Sequence, residues 1–472
     1  MLVQTPASNG SALTEPVVDR LRRGFVGQVI GPGDPDYDAA RKIRAANFDK
    51  FPALVARPAD EIDVIRAVKF AREHDLAVAV RSGGHSFAGY STVEGGLVID
   101  LSGMKAIAID PERRVARVQP GLTWAEYAAA AHEYGLATSS GDVGSVGVGG
   151  LIMGGGIGWM VRKHGLTIDH LLSVDVVTAD GRLVTASADE HPDLFWAVRG
   201  GGGNVGIATA FELQLHPAGT ILGGAVFYAA ADGQAVLREY LRYANAAPDE
   251  LSTQAMMMYA PPLPFIPQHL HGAPVIALLV AYNGDPAEGE RVLAPLRSLA
   301  TPLLDLIGPM PYPALFEITK DATTKGRGEE LRSTYLDRVD DALLDTVLEH
   351  FLQATSPHNL VQWRVLGGAM ARVPADATAF AHRDKPYMVT LIANWLDPLD
   401  AQPHLAWLER FWAAVRPFGS GVYVNFLGLE GEARVREAYS PATYRRLAAV
   451  KRRYDPTNFF HLNQNVRPRT VA

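Results

Sequence analysis

The chain contains no cysteine. That absence removes disulfides, thiolate-bound zinc, iron–sulfur clusters and cysteine nucleophiles from consideration. Long apolar runs are missing too: the longest, Ala273–Tyr282, is too short to cross a bilayer. The opening MLVQTPASNGSALTEP has no basic stretch followed by an apolar one, so no secretory signal is expected. These features predict a soluble, cytoplasmic protein. No long block of like charge interrupts the 44 basic and 51 acidic residues, which sum to −7. Nucleic acid and membrane surfaces are therefore not expected as partners. The 14 histidines show no ligand spacing such as H-E-x-x-H, and no metal site is expected.

What is present in excess is glycine, and unevenly. Of 45 glycines, 16 fall between Gly141 and Gly206, and Gly83, Gly84 and Gly89 form an earlier group. Glycine weakens helices and strands, so such density implies backbone that approaches a partner closely or adopts positive φ. With 472 residues the chain has ample material for two or three domains.

The first third alternates helical and strand-like patterns. Asp60 caps an apolar-striped helix to about His74, Leu76–Val80 reads as a buried strand, and Gly96–Leu101 as another. Ala106–Asp110 with Arg114–Val118, and Leu172–Thr178 with Arg182–Ser187, read as hairpins. Thr123–Tyr134 is helical and ends at Gly135, His191–Val198 is a short helix, and Gly206–His216 a strand.

Three glycine-rich loops sit on this frame. Arg81-Ser-Gly-Gly-His-Ser-Phe-Ala-Gly89 follows a strand, and its consecutive glycines expose backbone N–H groups in an anion-binding concavity. Arg81 adds charge there, and the Ser82 and Ser86 hydroxyls are possible donors. Gly141–Gly158 is long enough to line a large flat ligand, and Arg199–Gly206 offers a further close approach. Gly201–Gly206 matches G-x-G-x-x-G, but a strand rather than a helix follows it, against a Rossmann site. A Walker A loop is absent.

Arg81–Gly89 with His85, the V-G-V-G-G run, the segment W-A-V-R-G-G-G-G-N-V-G-I and the ending Tyr454-Asp-Pro-Thr-Asn-Phe-Phe-His-Leu-Asn-Gln-Asn465 resemble the berberine bridge enzyme-like flavoproteins of the vanillyl-alcohol oxidase/PCMH group. The resemblance covers nearly the whole chain. It implies an α+β fold in which a PCMH-type FAD-binding domain, residues 1–217, is completed by a berberine-like segment, 415–472. An α+β substrate domain with an antiparallel sheet, 218–414, lies between them. It implies FAD bound covalently through the ring of His85 to the flavin 8α-methyl; a neutral imidazole is a competent nucleophile for such a bond. Cofactor contacts are expected from Arg81, Ser82, Gly83, Gly84, Ser86 and Gly89 in the first loop. The second loop contributes Asp142, Val143, Gly147, Gly149, Gly150, Gly154, Gly156 and Gly158. Asn204, Gly206 and Ile207 follow, with Asn463 and Asn465 from the C-terminal segment. Many relatives carry a second flavin link, from a cysteine at the position of Val143; here a single link is expected, as in the 6-hydroxynicotine oxidase-like branch.

The same resemblance places Val146 where oxygen access to the flavin is controlled. Val361–Gly368 reads as a strand with Gln362 and Arg364 on one face, open either to substrate or to solvent. Val422–Phe426 reads similarly, with Tyr423 and Asn425 sharing a face. Tyr423 is the expected base for a substrate O–H or N–H proton, its pKa depressed by a cation such as Arg364. The expected reaction is oxidation of an alcohol or amine carbon of a small sugar, alkaloid or secondary metabolite. Electrons pass to the flavin and then to O2, giving hydrogen peroxide, in a monomer or homodimer. A dehydrogenase using another acceptor, and a non-catalytic flavin-binding protein, are the alternatives.

Overall fold

A computed structural model describes residues 13–264, 266–320 and 325–468. Its first sheet has the strand order Gln28–Ile30, Leu54–Arg57, Leu97–Asp100, Val78–Arg81, with the last three parallel. Parallel strands are covered on both faces, and Leu97, Val98 and Ile99 are accordingly fully buried. The crossover helix Glu61–Glu73 starts where expected: the Asp60 side chain accepts a hydrogen bond from the Asp63 N–H. The first glycine loop leaves the carboxyl end of Val78–Arg81, where parallel sheets characteristically place ligands.

A second, antiparallel sheet has the order Ile107–Asp110, Val115–Val118, Ile207–Gln214, Leu171–Val177, Leu183–Ser187. Both hairpins anticipated above are its outer pairs. Between them, Ile207–Gln214 follows the third glycine loop directly, so that loop does not open a helix. The helix Trp124–His132 carries a full capping box between Thr123 and Glu126.

Residues 220–395 contribute an eight-stranded antiparallel sheet. Its strands alternate strictly between two faces. On Leu360–Val365, the side chains of Val361, Trp363 and Val365 join the core beneath helices Gly233–Ala246, Asp341–Leu352 and Ala401–Val415. Gln362 and Arg364 turn the other way, towards the glycine loops. The fold is thus α+β, with antiparallel pairing dominant.

The C-terminal helix Pro441–Tyr454 is capped by Ser440, and the chain then folds back against the third glycine loop. Lys451, fully buried, holds this return: its ammonium donates to the Phe460 carbonyl (2.7 Å), Asn465 Oδ1 (3.1 Å) and Asn204 Oδ1 (3.3 Å). One element differs from expectation. Val422–Phe426 is not a strand; Val424–Phe426 forms a single 3-10 turn. The turn brings Tyr423 and Asn425 together directly, with Asn425 Nδ2 donating to the Tyr423 hydroxyl at 2.9 Å.

Candidate cofactor and substrate site

A cavity of about 360 Å³ runs between the first sheet, the three glycine loops and the inner face of the eight-stranded sheet. The loops meet there backbone to backbone. A Cβ at Gly83 would lie 2.3 Å from the Gly147 nitrogen, and one at Gly147 would lie 2.1 Å from Ser82 Oγ. Only glycine permits this approach. Ser82, Gly83, Gly84, His85, Ser86, Asp142, Val143, Val146, Gly147, Gly149 and Gly150 all line the cavity. Asn204, Gly206, Ile207 and Asn463 close it from the other side.

Several expected contacts lie elsewhere. Arg81 does not line the cavity; its guanidinium is buried against the Asp100 carboxylate (2.9 Å) and the Ala40 carbonyl (2.5 Å). It is an internal ion pair that fixes the end of its strand. Gly89 packs on the Phe48 ring, and Gly154, Gly156 and Gly158 pack on Asn425, Thr167 and the Ser140 carbonyl. These glycines shape the loops from behind. Asn465 accepts from Lys451 and also lies outside the lining, while its neighbour Gln464 lies within it. Asn204 lines the cavity, but its amide is a bracket: Nδ2 donates to the Gly201 and Gln464 carbonyls, and Oδ1 accepts from the Val466 N–H and Lys451.

His85 opens onto the cavity with Nε2 3.1 Å from Ser145 Oγ. Burial, reinforced by the nearby cations Arg44 and Lys325, lowers its pKa to about 3. The imidazole is therefore neutral across the physiological range.

Opposite, on the sheet, a polar chain runs through buried side chains. Arg364 Nη2 donates to Asp142 Oδ2 (2.6 Å) and to Gln362 Oε1 (2.8 Å), and Gln362 Nε2 donates to Gln254 Oε1 (2.7 Å). The Thr319 hydroxyl supports Asp142 through its carbonyl, at 2.7 Å. Tyr423 stands alongside, its hydroxyl oxygen accepting from the Gly156 N–H (2.8 Å) and Asn425 Nδ2 (2.9 Å). Its pKa is not depressed, as expected above, but pushed up to about 12. Burial is the largest influence; the two N–H donors and Arg364 oppose it without overcoming it. Arg364 is itself paired with Asp142.

Two lining residues carry no local signal in the sequence. Arg44 and Glu329 form a buried ion pair across the cavity, although 285 positions separate them. Backbone pairing positions them: the Ala46 N–H donates to the Arg327 carbonyl and the Gly326 N–H to the Arg44 carbonyl. Asn394, opposite Glu329 in the sheet register, completes this end. Period-two alternation along Gly328–Leu336 and Tyr387–Trp395 would have placed Glu329 and Asn394 on the inner face once the sheet order was known.

The donor set suits a large, partly polar cofactor with phosphates: glycine backbone at close range, apolar walls from Val143, Leu151, Ile157 and Phe460, and a buried Asn463 Oδ1 without a partner among the described residues. The comparisons agree. Residues 52–187 match the family model described as an FAD binding domain, and 422–467 match that described as berberine and berberine like. These are the two chain ends that meet at the cavity. The site is thus that of an FAD-linked oxidoreductase.

The chain is 32% identical to (R)-6-hydroxynicotine oxidase of Paenarthrobacter nicotinovorans, over 94% of this chain and 97% of that protein. It is 29% identical to xylooligosaccharide oxidase of Thermothelomyces thermophilus, over 89% of this chain and 88% of that protein. Among solved structures, 6-hydroxy-D-nicotine oxidase from Arthrobacter nicotinovorans superimposes with a TM-score of 0.86 at 28% identity, covering 97% of this chain and 100% of that one. The protein belongs to the berberine bridge enzyme-like family of FAD-linked oxidoreductases.

Proposed function

We propose that the protein is an oxidase of small organic alcohols or amines, carrying FAD through one covalent bond to His85. The observation that carries this reading is the meeting in one cavity of a neutral His85, three glycine loops and a Tyr423 hydroxyl whose oxygen accepts two N–H donors. The cofactor supplies two-electron acceptance from a substrate carbon and passage of those electrons to O2 as hydrogen peroxide.

The chain's own groups do the rest. The glycine backbones would hold the phosphates and ring, and Asn463 Oδ1, without a partner among the described residues, would offer an acceptor. His85, unprotonated at neutral pH, would hold the cofactor as the nucleophile of the tether. With valine at 143 and no cysteine in the sequence, a second, cysteinyl link has no side chain to form it. Gln362 and Arg364 orient the substrate from the sheet. Tyr423, in its phenolate form, takes the substrate O–H or N–H proton at Oη, and the Gly156 and Asn425 donors stabilise the negative charge of that phenolate before the transfer. Val146, within the second glycine loop and lining the cavity, would govern oxygen access. The domain limits 217/218 and 414/415 belong to this reading, as does a monomeric or homodimeric assembly.

The test is anaerobic bleaching of the flavin against a panel of sugars, alkaloids and simple alcohols, followed by rapid mixing with oxygenated buffer. Fast reoxidation with peroxide release is expected. A reduced flavin that persists in air would remove the oxidase reading and leave a dehydrogenase.

A further inference from the structure

Beside Arg364, which together with Ile157 also lines the large cavity, lies a second cavity of about 10 Å³. All ten residues lining it are buried. Four of them carry a buried polar atom with no partner among the described residues: Trp159 Nε1, Ser252 Oγ, Gln254 Nε2 and Arg364 Nε. An unsatisfied buried donor costs about 1–3 kcal/mol, and four around one small space point to an occupant.

The direction of the hydrogen bonds is fixed from one end. Arg364 can only donate, so the Gln362 oxygen faces it and the Gln362 NH2 faces Gln254 Oε1. That leaves the Gln254 NH2 pointing onward as a donor. The Arg364 Nε–H, on the same guanidinium that binds Asp142, is also unused.

We infer that this cavity is a binding site for one internal water molecule, which closes a ring Arg364–Gln362–Gln254–water–Arg364. The water accepts from the N–H groups of Gln254 and Arg364 and is held against Ser252 Oγ and Trp159. Volume decides between the small ligands that suit a donor-rich site. Space of about 10 Å³ for the centre of a water-sized sphere holds one water, whereas a halide is larger. A halide would also add a negative charge where Asp142 already balances Arg364. The water is a positioning element: it fixes the guanidinium plane and the Gln362 amide that face the substrate side. Its presence does not depend on which substrate is oxidised or on the electron acceptor.

The experiment is a high-resolution crystal structure of the flavin-loaded wild-type protein, with crystals grown in chloride and then transferred to bromide. The expected result is one fully occupied, water-sized density peak touching Gln254 Nε2 and Arg364 Nε, with no bromine anomalous signal. A dry cavity, or an anomalous peak at that point, would overturn the inference. A second structure, of Gln254→Met, is expected to lose the peak and show the Gln362 amide in more than one orientation. An unchanged peak with an unchanged Gln362 would equally contradict the ring.

Discussion

The Arg364 guanidinium lies 2.6 Å from the Asp142 carboxylate, joining the inner face of the eight-stranded sheet to the second glycine loop across 222 positions of sequence. Both groups are buried. Removing one partner of such a pair strands the other charge, at a cost of about 3–5 kcal/mol. Asp142→Asn is therefore expected to lower stability by a few kcal/mol in urea titration. Because Arg364 acts to lower the Tyr423 pKa, freeing its charge should also shift any Tyr423-dependent pH profile towards lower pH. An Asp142→Asn protein of wild-type stability would show that the pair is not the link described here.

Tyr423 carries the second prediction. Burial holds its hydroxyl near pKa 12, so below that value the phenolate fraction falls about tenfold per pH unit. If Tyr423 Oη takes the substrate proton, kcat/KM for flavin reduction rises with pH through the neutral range and reaches no plateau below about pH 10. Tyr423→Phe should reduce the rate by about 10²–10⁴-fold and flatten the profile. A wild-type plateau near neutrality would assign the proton to another group.

Acid sensitivity follows from a cluster away from the cavity. His170 Nδ1 lies 2.9 Å from His216 Nε2, and the His164 and His216 rings stack at 4.0 Å. Burial, then His216, lowers the pKa of both His164 and His170 to about 3. Below the ordinary value of 6.5 the unfolded chain takes up protons that the folded chain refuses. Stability is thus complete above pH 6.5 and is lost as pH falls towards 3. For the buried His170 the slope approaches about 1.4 kcal/mol per pH unit. Thermal unfolding at a series of pH values checks this, and a midpoint independent of pH between 6.5 and 4 would contradict it.

Lys451 ties the C-terminal return to the third glycine loop, donating to the Phe460 carbonyl, which Asn463 Nδ2 also reaches, and to Asn465 Oδ1. Lys451→Met would leave these acceptors and the Asp455 carboxylate, 3.6 Å away, without their cation. A loss of about 3–5 kcal/mol is expected, with weaker flavin retention when the tether is also removed. Circular dichroism in denaturant and flavin fluorescence of the supernatant read the two effects separately.

Much of this arrangement was legible in the sequence because its signals are local. Asp60 announced its helix by capping chemistry, Gly135 marked the end of the helix before it, and both hairpins announced themselves by turn residues between short apolar runs. The glycine density located the cavity, since backbone contact such as Gly83 on Gly147 tolerates no side chain. What stayed hidden was long-range. Arg81 looked like a ligand until Asp100, on the neighbouring parallel strand, was seen to neutralise it. Arg44 and Glu329 meet only because two distant backbone segments pair. The Tyr423 pKa turns on burial, which no short motif reports. The Val422–Phe426 pattern alternated like a strand, yet pairing with the strand Gly328–Leu336 stops at a single bridge, Tyr335 to Ser420, and Val424–Phe426 closes into a turn.

The most direct test of the whole account is the intact mass of the acid-denatured protein. One covalent FAD through His85, with valine at 143, predicts the polypeptide mass plus one FAD, and the bare polypeptide for His85→Ala. A wild-type protein at the bare polypeptide mass, with all its flavin in the supernatant, would contradict the account.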